Sequence, residues 1–137
     1  MAFYGVHGQA LAEPNTSFLR DLPAYERLWR DLPDAGMKFD AANWLHRGLD
    51  PLAPVRRHGA RVFHVHIKDH LYHEGALAAQ PPAGMGDVPF PKLLAFLHEH
   101  RYAGSLSIEP HGPWQKDPEL RRRMLLLSKG YLERYIL

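Results

Sequence analysis

The chain has 137 residues, 45% hydrophobic and 23% charged, which is enough for one folded domain and unlike a disordered tail. The net charge is only +2, and the short basic runs at residues 56–57 and 121–123 are typical of solvated helix faces, so no nucleic-acid surface is predicted. The absence of cysteine excludes disulfides and thiolate metal ligands. No apolar run reaches the roughly 20 residues of a membrane span, so no membrane contact and a cytoplasmic location are expected.

Short apolar runs alternate with longer stretches of helical period, a pattern typical of βα units in a parallel sheet. The first unit has a strand at residues 2–6 and a helix at residues 17–32, in which Pro23 is expected to cause a kink or restart. A long loop is expected at residues 74–89. The other three predicted strand and helix pairs lie at residues 37–39 and 51–59, 61–67 and 91–100, and 106–108 and 118–135.

Four βα units predict an α/β fold of the (β/α) TIM-barrel type, as one partial domain over residues 1–137. A complete barrel needs about 250 residues, so about half of one is expected. A half barrel has two open sheet edges, which predicts association as a homodimer or higher oligomer, or with a missing N-terminal half-barrel. The apolar side chains expected on its inner face are those of Phe3, Phe39, Val62 and Ile108, or their strand neighbours.

Polar side chains close three of the predicted strands: Asp40, His66 and Glu109. Active sites of (β/α) barrels lie where strands end, so these side chains are expected to meet at one mouth. Two carboxylates and an imidazole suit one divalent ion, whether Mn, Mg, Co or Zn. Asp40 could instead be only a turn or N-cap residue. Because side chains alternate along a strand, His64 faces the same way as His66, and a core histidine satisfied by hydrogen bonds is its alternative role.

Four segments resemble, in chain order, the later strands of the xylose isomerase-like TIM-barrel family. That family includes sugar and sugar-phosphate isomerases and epimerases, and inosose dehydratases. The resemblance covers essentially the whole chain and matches it to the C-terminal half of the family barrel. The four segments are Phe39-Asp40-Ala41-Ala42-Asn43, residues 63–70 (FHVHIKDH), residues 84–90 (GMGDVPF) and residues 102–110 (YAGSLSIEP).

The resemblance implies one divalent metal held by Glu, Asp, His and Glu on four successive strands. The last three ligands match Asp40, His66 and Glu109. The first family glutamate has no counterpart, because the first strand ends at Val6, continues as His7-Gly8-Gln9 and carries no carboxylate. His7 is the candidate substitute ligand, Glu13 could reach in from the loop, or the fourth ligand is lost.

The resemblance also implies residues that face the substrate, a sugar or polyol. Asn43 and Lys68 match such positions, and His64 is assigned to the same substrate site. Lys68 is expected to stabilise a developing oxyanion, with a solvated loop lysine as its alternative. Glu109 is the candidate base, so Glu109 and Lys68 form the expected catalytic pair.

The implied reaction is metal-assisted proton abstraction next to a carbonyl, through an enediolate, as in a sugar, sugar-phosphate or polyol-ketone isomerase or epimerase. Dehydration of a polyol ketone uses the same chemistry and stays open. The alternative is a truncated, non-catalytic half-barrel remnant that acts as an oligomeric or binding module. A nuclease on the related endonuclease barrel is disfavoured, because the sequence lacks the extra His and Asp ligands of a metal cluster and a basic groove.

Overall fold

The structure is a computed structural model that describes residues 2–3 and 19–136. Its strands are β1 (Ala2–Phe3), β2 (Gly36–Asp40), β3 (Val62–Ile67), β4 (Leu71–His73), β5 (Ala76–Ala79) and β6 (Ser105–Ile108). Its α-helices are α1 (Leu22–Asp31), α2 (Ala41–His46), α3 (Ala53–His58), α4 (Phe90–Glu99) and α5 (Pro118–Leu132), and short 3-10 turns cover Gly59–Arg61 and Pro113–Lys116. No helix in these ranges is long and apolar enough to cross a membrane.

Four strands form one sheet in the order β1-β2-β3-β6, and each neighbouring pair is parallel. Parallel strands need crossover connections, which here contain α1, the α2 and α3 pair, and α4. The sheet and its helices are the partial (β/α) barrel that the alternating sequence pattern predicts. Strand ends that share one edge of this sheet lie at the barrel mouth.

One face of the sheet packs against the helices and forms the core. Met37 and Phe39 on β2, and Val65 and Ile67 on β3, are at most 1% exposed and belong to one apolar cluster with residues of α1 and α4. The expectation that Phe39 and Val62 themselves face the barrel interior is therefore wrong, because both are buried in this helix-facing core, and the alternative that their strand neighbours do so is the one that holds. Ile108 pairs with Ile67 and packs against the same core, and the side chain of Phe3 lies outside the described part.

The opposite, inner face of the sheet carries Lys38, His64 and Ser105, which are aligned in register across β2, β3 and β6. A register shift after Met37 leaves Phe63 as an extra residue on β3. The ring of Phe63 lies over Gly36, where any Cβ atom would overlap it, and is 42% exposed. This bulge reverses the expected alternation, so Val62 enters the core while Phe63 stays on the inner face.

Two helix expectations need correction. Helix α1 begins at Leu22, later than predicted, where Asp21 caps it by accepting a hydrogen bond from the Ala24 amide at 2.9 Å. Pro23 therefore lies in the first turn, where its missing N–H costs nothing, and it causes no kink. The second unit contains α2 and α3 in place of one helix, and α2 is only six residues long, too short to show a helical period.

The expected long loop after β3 contains a hairpin formed by β4 and β5, which pair antiparallel. Its turn has positive φ at both Glu74 (51°) and Gly75 (78°), as a tight hairpin turn requires. The expected loop therefore contains one strand, β5, which the sequence analysis did not predict. The apolar alternation is too short here to indicate strands, since β4 has three residues and β5 four.

Candidate metal centre

Three adjacent strands bring Asp40, His66 and Glu109 together at the mouth. Asp40 is the last residue of β2 and pairs in register with His66 of β3. Glu109 follows β6, and its amide donates to the Ile67 carbonyl oxygen at 3.0 Å, which extends the ladder by one residue. One potential ligand atom from each side chain lies within 4.8 Å of the other two.

Asp40 has two roles in this arrangement. Its Oδ1 accepts a hydrogen bond from the Asn43 amide at 3.1 Å, so Asp40 is the N-cap of α2. Its Oδ2 accepts from the Asn43 side-chain amide at 2.9 Å and lies 2.9 Å from the Lys68 ammonium nitrogen. Asp40 therefore serves both as the N-cap, through Oδ1, and as a member of the cluster of candidate ligands, through Oδ2.

Lys68 lies inside the cluster rather than in solvent. Its side chain is only 4% exposed, and its Nζ lies 2.9 Å from Asp40 Oδ2 and 3.4 Å from Glu109 Oε2. Two carboxylates around one buried ammonium balance its charge and hold its position. The alternative of a solvated loop lysine does not fit this burial.

The Oε2 atom of Glu109 is the most contacted oxygen of the cluster. His66 Nδ1 lies 3.0 Å from it, and Lys68 Nζ and His111 Nε2 each lie 3.4 Å from it. Burial raises the pKa of Glu109, but hydrogen bonds from His111 and His66 and the charge of Lys68 outweigh burial and hold the pKa well below its usual range. Glu109 is therefore ionised at neutral pH, as a metal ligand must be.

Asn43 and His64 are placed differently with respect to the cluster. The Asn43 side chain is bonded to Asp40 and so supports a candidate ligand directly. His64 lies on the inner face below His66, with the two ring centres 5.2 Å apart. Burial first, and then the charges of His66 and Lys38, lower the pKa of His64.

The sequence prediction missed His111, because it lies three residues beyond the predicted strand, after Pro110. It also assigned no role to Asp69, which is 1% exposed. Its carboxylate accepts four backbone hydrogen bonds, from His70 and Val88 at 2.9 and 3.1 Å and from Gly84 and Gly86 at 2.9 Å each. Asp69 thus holds the loop before α4 against the end of β3, next to Lys68.

A second polar group borders the mouth, formed by His46, His70, Tyr72 and Gln80. The Tyr72 hydroxyl lies 3.0 Å from His46 Nδ1, and Gln80 Nε2 lies 3.2 Å from His70 Nε2. Burial, followed by the positive charges of Lys68, His46 and His111, lowers the pKa of His70 to about 4. The His70 ring is therefore neutral at physiological pH.

The donor set of the three strand ends suits a divalent ion. Two carboxylates and one imidazole are ligands that Mn²⁺, Zn²⁺, Co²⁺ and Mg²⁺ accept in differing preference, and their atoms are close enough to share one ion. The ammonium of Lys68 on the same oxygens opposes a cation but leaves Asp40 Oδ1 and Glu109 Oε1 outside its contacts. His7 and Glu13, the candidates for a fourth ligand, lie outside the described residues.

Residues 8–129 match the family described as xylose isomerase-like TIM barrel. No curated protein matches the chain. Among solved structures, a xylose isomerase domain protein from Planctomyces limnophilus is 26% identical with a TM-score of 0.71, over 82% of this chain and 42% of that one. Another from Alicyclobacillus acidocaldarius is 23% identical with a TM-score of 0.64, over 88% and 44%. An IOLI protein with a bound zinc atom is 16% identical with a TM-score of 0.67, over 84% and 44%.

This chain therefore spans less than half the length of the structures that it resembles. The match to the family model covers most of the chain, and the predicted fold class and family are confirmed. The partial barrel, its parallel sheet and its mouth agree with that match. The chain belongs to the xylose isomerase-like TIM-barrel family.

Proposed function

We propose that this chain supplies the metal-binding part of a barrel that isomerises or epimerises a sugar, sugar phosphate or polyol ketone. The observation that carries the proposal is the approach of Asp40, His66 and Glu109 to within 4.8 Å at the ends of adjacent parallel strands. An IOLI protein of the same fold is described with a bound zinc atom, which supports a divalent ion at such a mouth. The candidate ions are Mn, Mg, Co and Zn.

When bound, a divalent ion polarises a substrate carbonyl and so acidifies the neighbouring carbon. Lys68 would stabilise the oxyanion that develops when the proton leaves, because its ammonium is buried at the mouth and fixed by Asp40 and Glu109. Asn43 would hold Asp40 in its ligand orientation through their 2.9 Å hydrogen bond, and it and His64 remain candidates for substrate contact.

Glu109 is proposed both as ligand and as base, and its environment favours the first role. A general base works best with a pKa near the operating pH, whereas the pKa of Glu109 is held well below its usual range. All three close contacts are made by Oε2. Oε1 lies outside these contacts, so it is the oxygen that Glu109 would offer to a metal ion or to proton transfer.

The second candidate is a half-barrel remnant that binds a partner or a metal but performs no chemistry. It is favoured by the coverage of only 42% of the first structural relative and by the lack of a carboxylate on the first strand. A dehydratase is a further member of the fold group, since a probable 3-DHS dehydratase from Bacillus anthracis has a TM-score of 0.60. The fold alone does not favour dehydration over isomerisation.

Two measurements on the purified chain separate these candidates. Equilibrium dialysis against Mn²⁺ gives the number of ions per chain, and proton NMR in D₂O follows hydrogen exchange at the carbon next to the carbonyl of test ketoses. One ion with catalysed exchange supports catalysis by this chain itself. One ion without exchange supports either a binding half barrel or a chain that needs the rest of its barrel for catalysis. No bound ion would contradict the metal-centre proposal.

A further inference from the structure

The loops that follow β3 and β6 border the candidate metal centre, because Lys68 begins the first loop and Glu109 begins the second. In (β/α) barrels, the phosphate group of a substrate is frequently bound by the loops after the last two strands, together with the N-terminus of a short helix. The resemblance matches this chain to the C-terminal half of the barrel, so β3 and β6 are those two strands. The hydrogen bonds of both loops therefore indicate which end groups of a substrate this side of the mouth accepts.

The loop after β3 has the form of an anion cradle, in which backbone N–H groups converge on one point. The amides of His70 and Val88 donate to Asp69 Oδ1 at 2.9 and 3.1 Å. The amides of Gly84 and Gly86 donate to Oδ2 of the same carboxylate at 2.9 Å each. Burial raises the pKa of Asp69, but the four hydrogen bonds favour the ionised form, whose oxygens only accept. The N–H groups that a phosphate would need are thus occupied by a side chain of this chain itself.

The loop after β6 contains a short 3-10 turn that does not supply such a cradle either. The turn begins at Pro113, which has no N–H group. The Gln115 amide donates back to the Gly112 carbonyl oxygen at 3.2 Å. The Trp114 indole Nε1 donates to the Gln80 carbonyl oxygen at 2.9 Å, so this side chain holds the turn against the end of the β4 and β5 hairpin.

The side chains beside the two loops are imidazole, phenol and amide groups. The Tyr72 hydroxyl lies 3.0 Å from His46 Nδ1, and Gln80 Nε2 lies 3.2 Å from His70 Nε2. No lysine or arginine occurs at residues 69–91 or at residues 102–115, and Lys68 is already paired with two carboxylates. Such groups both donate and accept hydrogen bonds, as the hydroxyl groups of a sugar do.

We propose that the end of the substrate that lies against these two loops carries hydroxyl groups and no phosphate, and that the rim of His46, His70, Tyr72 and Gln80 receives it. This inference rests on the proposed function and narrows its substrate class on this side of the mouth. A phosphate at this position would meet the negative charge of Asp69 in place of free N–H groups, and like charges repel. Asp69 is thus a built-in occupant of the cradle that excludes a phosphate group.

Inorganic phosphate tests the cradle in the metal-free chain, with thermal unfolding followed by circular dichroism. Asp69→Gly removes the carboxylate and frees the four N–H groups. About 10 mM phosphate should therefore raise the Tm of this variant by about 3 °C or more, relative to chloride of equal ionic strength. The Tm of the wild type should not change. Asp69→Asn is the matched control, because its amide fills the same space, and its Tm should not respond to phosphate either.

A wild-type Tm that rises with phosphate as that of Asp69→Gly does would overturn the inference. A folded Asp69→Gly chain whose Tm phosphate leaves unchanged would also overturn it, because the freed N–H groups would then not form an anion site. Should Asp69→Gly stay unfolded at every phosphate concentration, the wild type decides alone. An unchanged Tm supports the inference, and a raised Tm overturns it.

Saturation-transfer NMR with the Mg²⁺-loaded chain tests the rim, with D-fructose and D-fructose 6-phosphate as probes. D-fructose should bind at least as tightly as its 6-phosphate. Tyr72→Phe removes the rim hydroxyl and should raise the Kd of D-fructose at least about threefold, with exposed His73→Gln as control. Tighter binding of the 6-phosphate, or no binding of D-fructose, would overturn the inference. Mn²⁺ stoichiometry is measured separately, so a chain that binds no ion rejects the proposed function, while the phosphate response still tests this inference.

Discussion

The Lys68 ammonium nitrogen lies 2.9 Å from Asp40 Oδ2 and joins β2 and the end of β3 at the barrel mouth. The same nitrogen is 3.4 Å from Glu109 Oε2, so one buried cation links all three strand ends. This cation stabilises two carboxylates that would repel each other without it, and it opposes a metal ion that would use the same oxygens. Lys68 thus sets a balance between the stability of the metal-free chain and its affinity for metal.

Lys68→Met should shift that balance in both directions. The free energy of unfolding of the metal-free chain should fall by about 2–4 kcal/mol, because Asp40 loses its buried counter-charge. Mn²⁺ should bind more tightly, on the order of tenfold, because a positive charge leaves the site. Urea unfolding and Mn²⁺ titration measure the two effects, with exposed Lys92→Met as control. Weaker Mn²⁺ binding in a folded Lys68→Met protein would contradict this balance.

Gly86 is predicted to be required for the four backbone hydrogen bonds that the Asp69 carboxylate accepts. A methyl group there would overlap Asp69 Oδ1 and the His70 carbonyl oxygen. Gly86→Ala should therefore lower the free energy of unfolding by about 1–3 kcal/mol, as overpacking against a fixed hydrogen-bonded group does. Gly130→Ala in α5 is the matched control, because its methyl group meets nothing within 4 Å and should stabilise the helix by about 0.5–1 kcal/mol. Equal changes in the free energy of unfolding for Gly86→Ala and Gly130→Ala, measured by urea unfolding, would refute the prediction.

Stability should fall as the pH decreases from about 6.5 to about 4. The pKa of His70 is lowered to about 4 in the folded chain, chiefly by burial, while an unfolded histidine titrates near 6.5. Between these values the unfolded chain binds the extra proton, so His70 costs stability, up to about 3 kcal/mol, as the pH falls. His70→Gln should lose this dependence relative to wild type in urea unfolding at pH 7, 5.5 and 4, whereas exposed His73→Gln should keep it. If the free energy of unfolding of His70→Gln depended on pH as that of the wild type does, His70 would not be the source of the pH dependence.

The three strand-end residues were predictable because their signal is local. Each follows a short apolar run, and in a parallel sheet such positions share one edge whatever the exact strand bounds. The structure places Asp40 and His66 in register, and Glu109 one residue past β6. The resemblance to the family was carried by segments that include these strand ends, so the sequence indicated the fold and the candidate site through one pattern.

The inner face was not predictable, because a single inserted residue decides it. Strict alternation puts Val62 with His64, but the bulge at Phe63 turns Val62 into the core. The contact between His111 and Glu109 was not predictable from the sequence either. His111 comes near Glu109 through the chain after β6, and no spacing rule marks it. Both features depend on contacts between strands, which a single sequence does not display.

The central claim is that Asp40, His66 and Glu109 hold one divalent ion, and Glu109→Ala tests it most directly. Loss of one of three protein ligands should raise the Kd for Mn²⁺ at least tenfold, measured from the free-ion signal in electron paramagnetic resonance. Asp40→Ala and His66→Ala should do the same, while Glu99→Ala, at an exposed position of α4, should leave the Kd unchanged. A folded Glu109→Ala chain that binds Mn²⁺ with wild-type affinity would contradict the account.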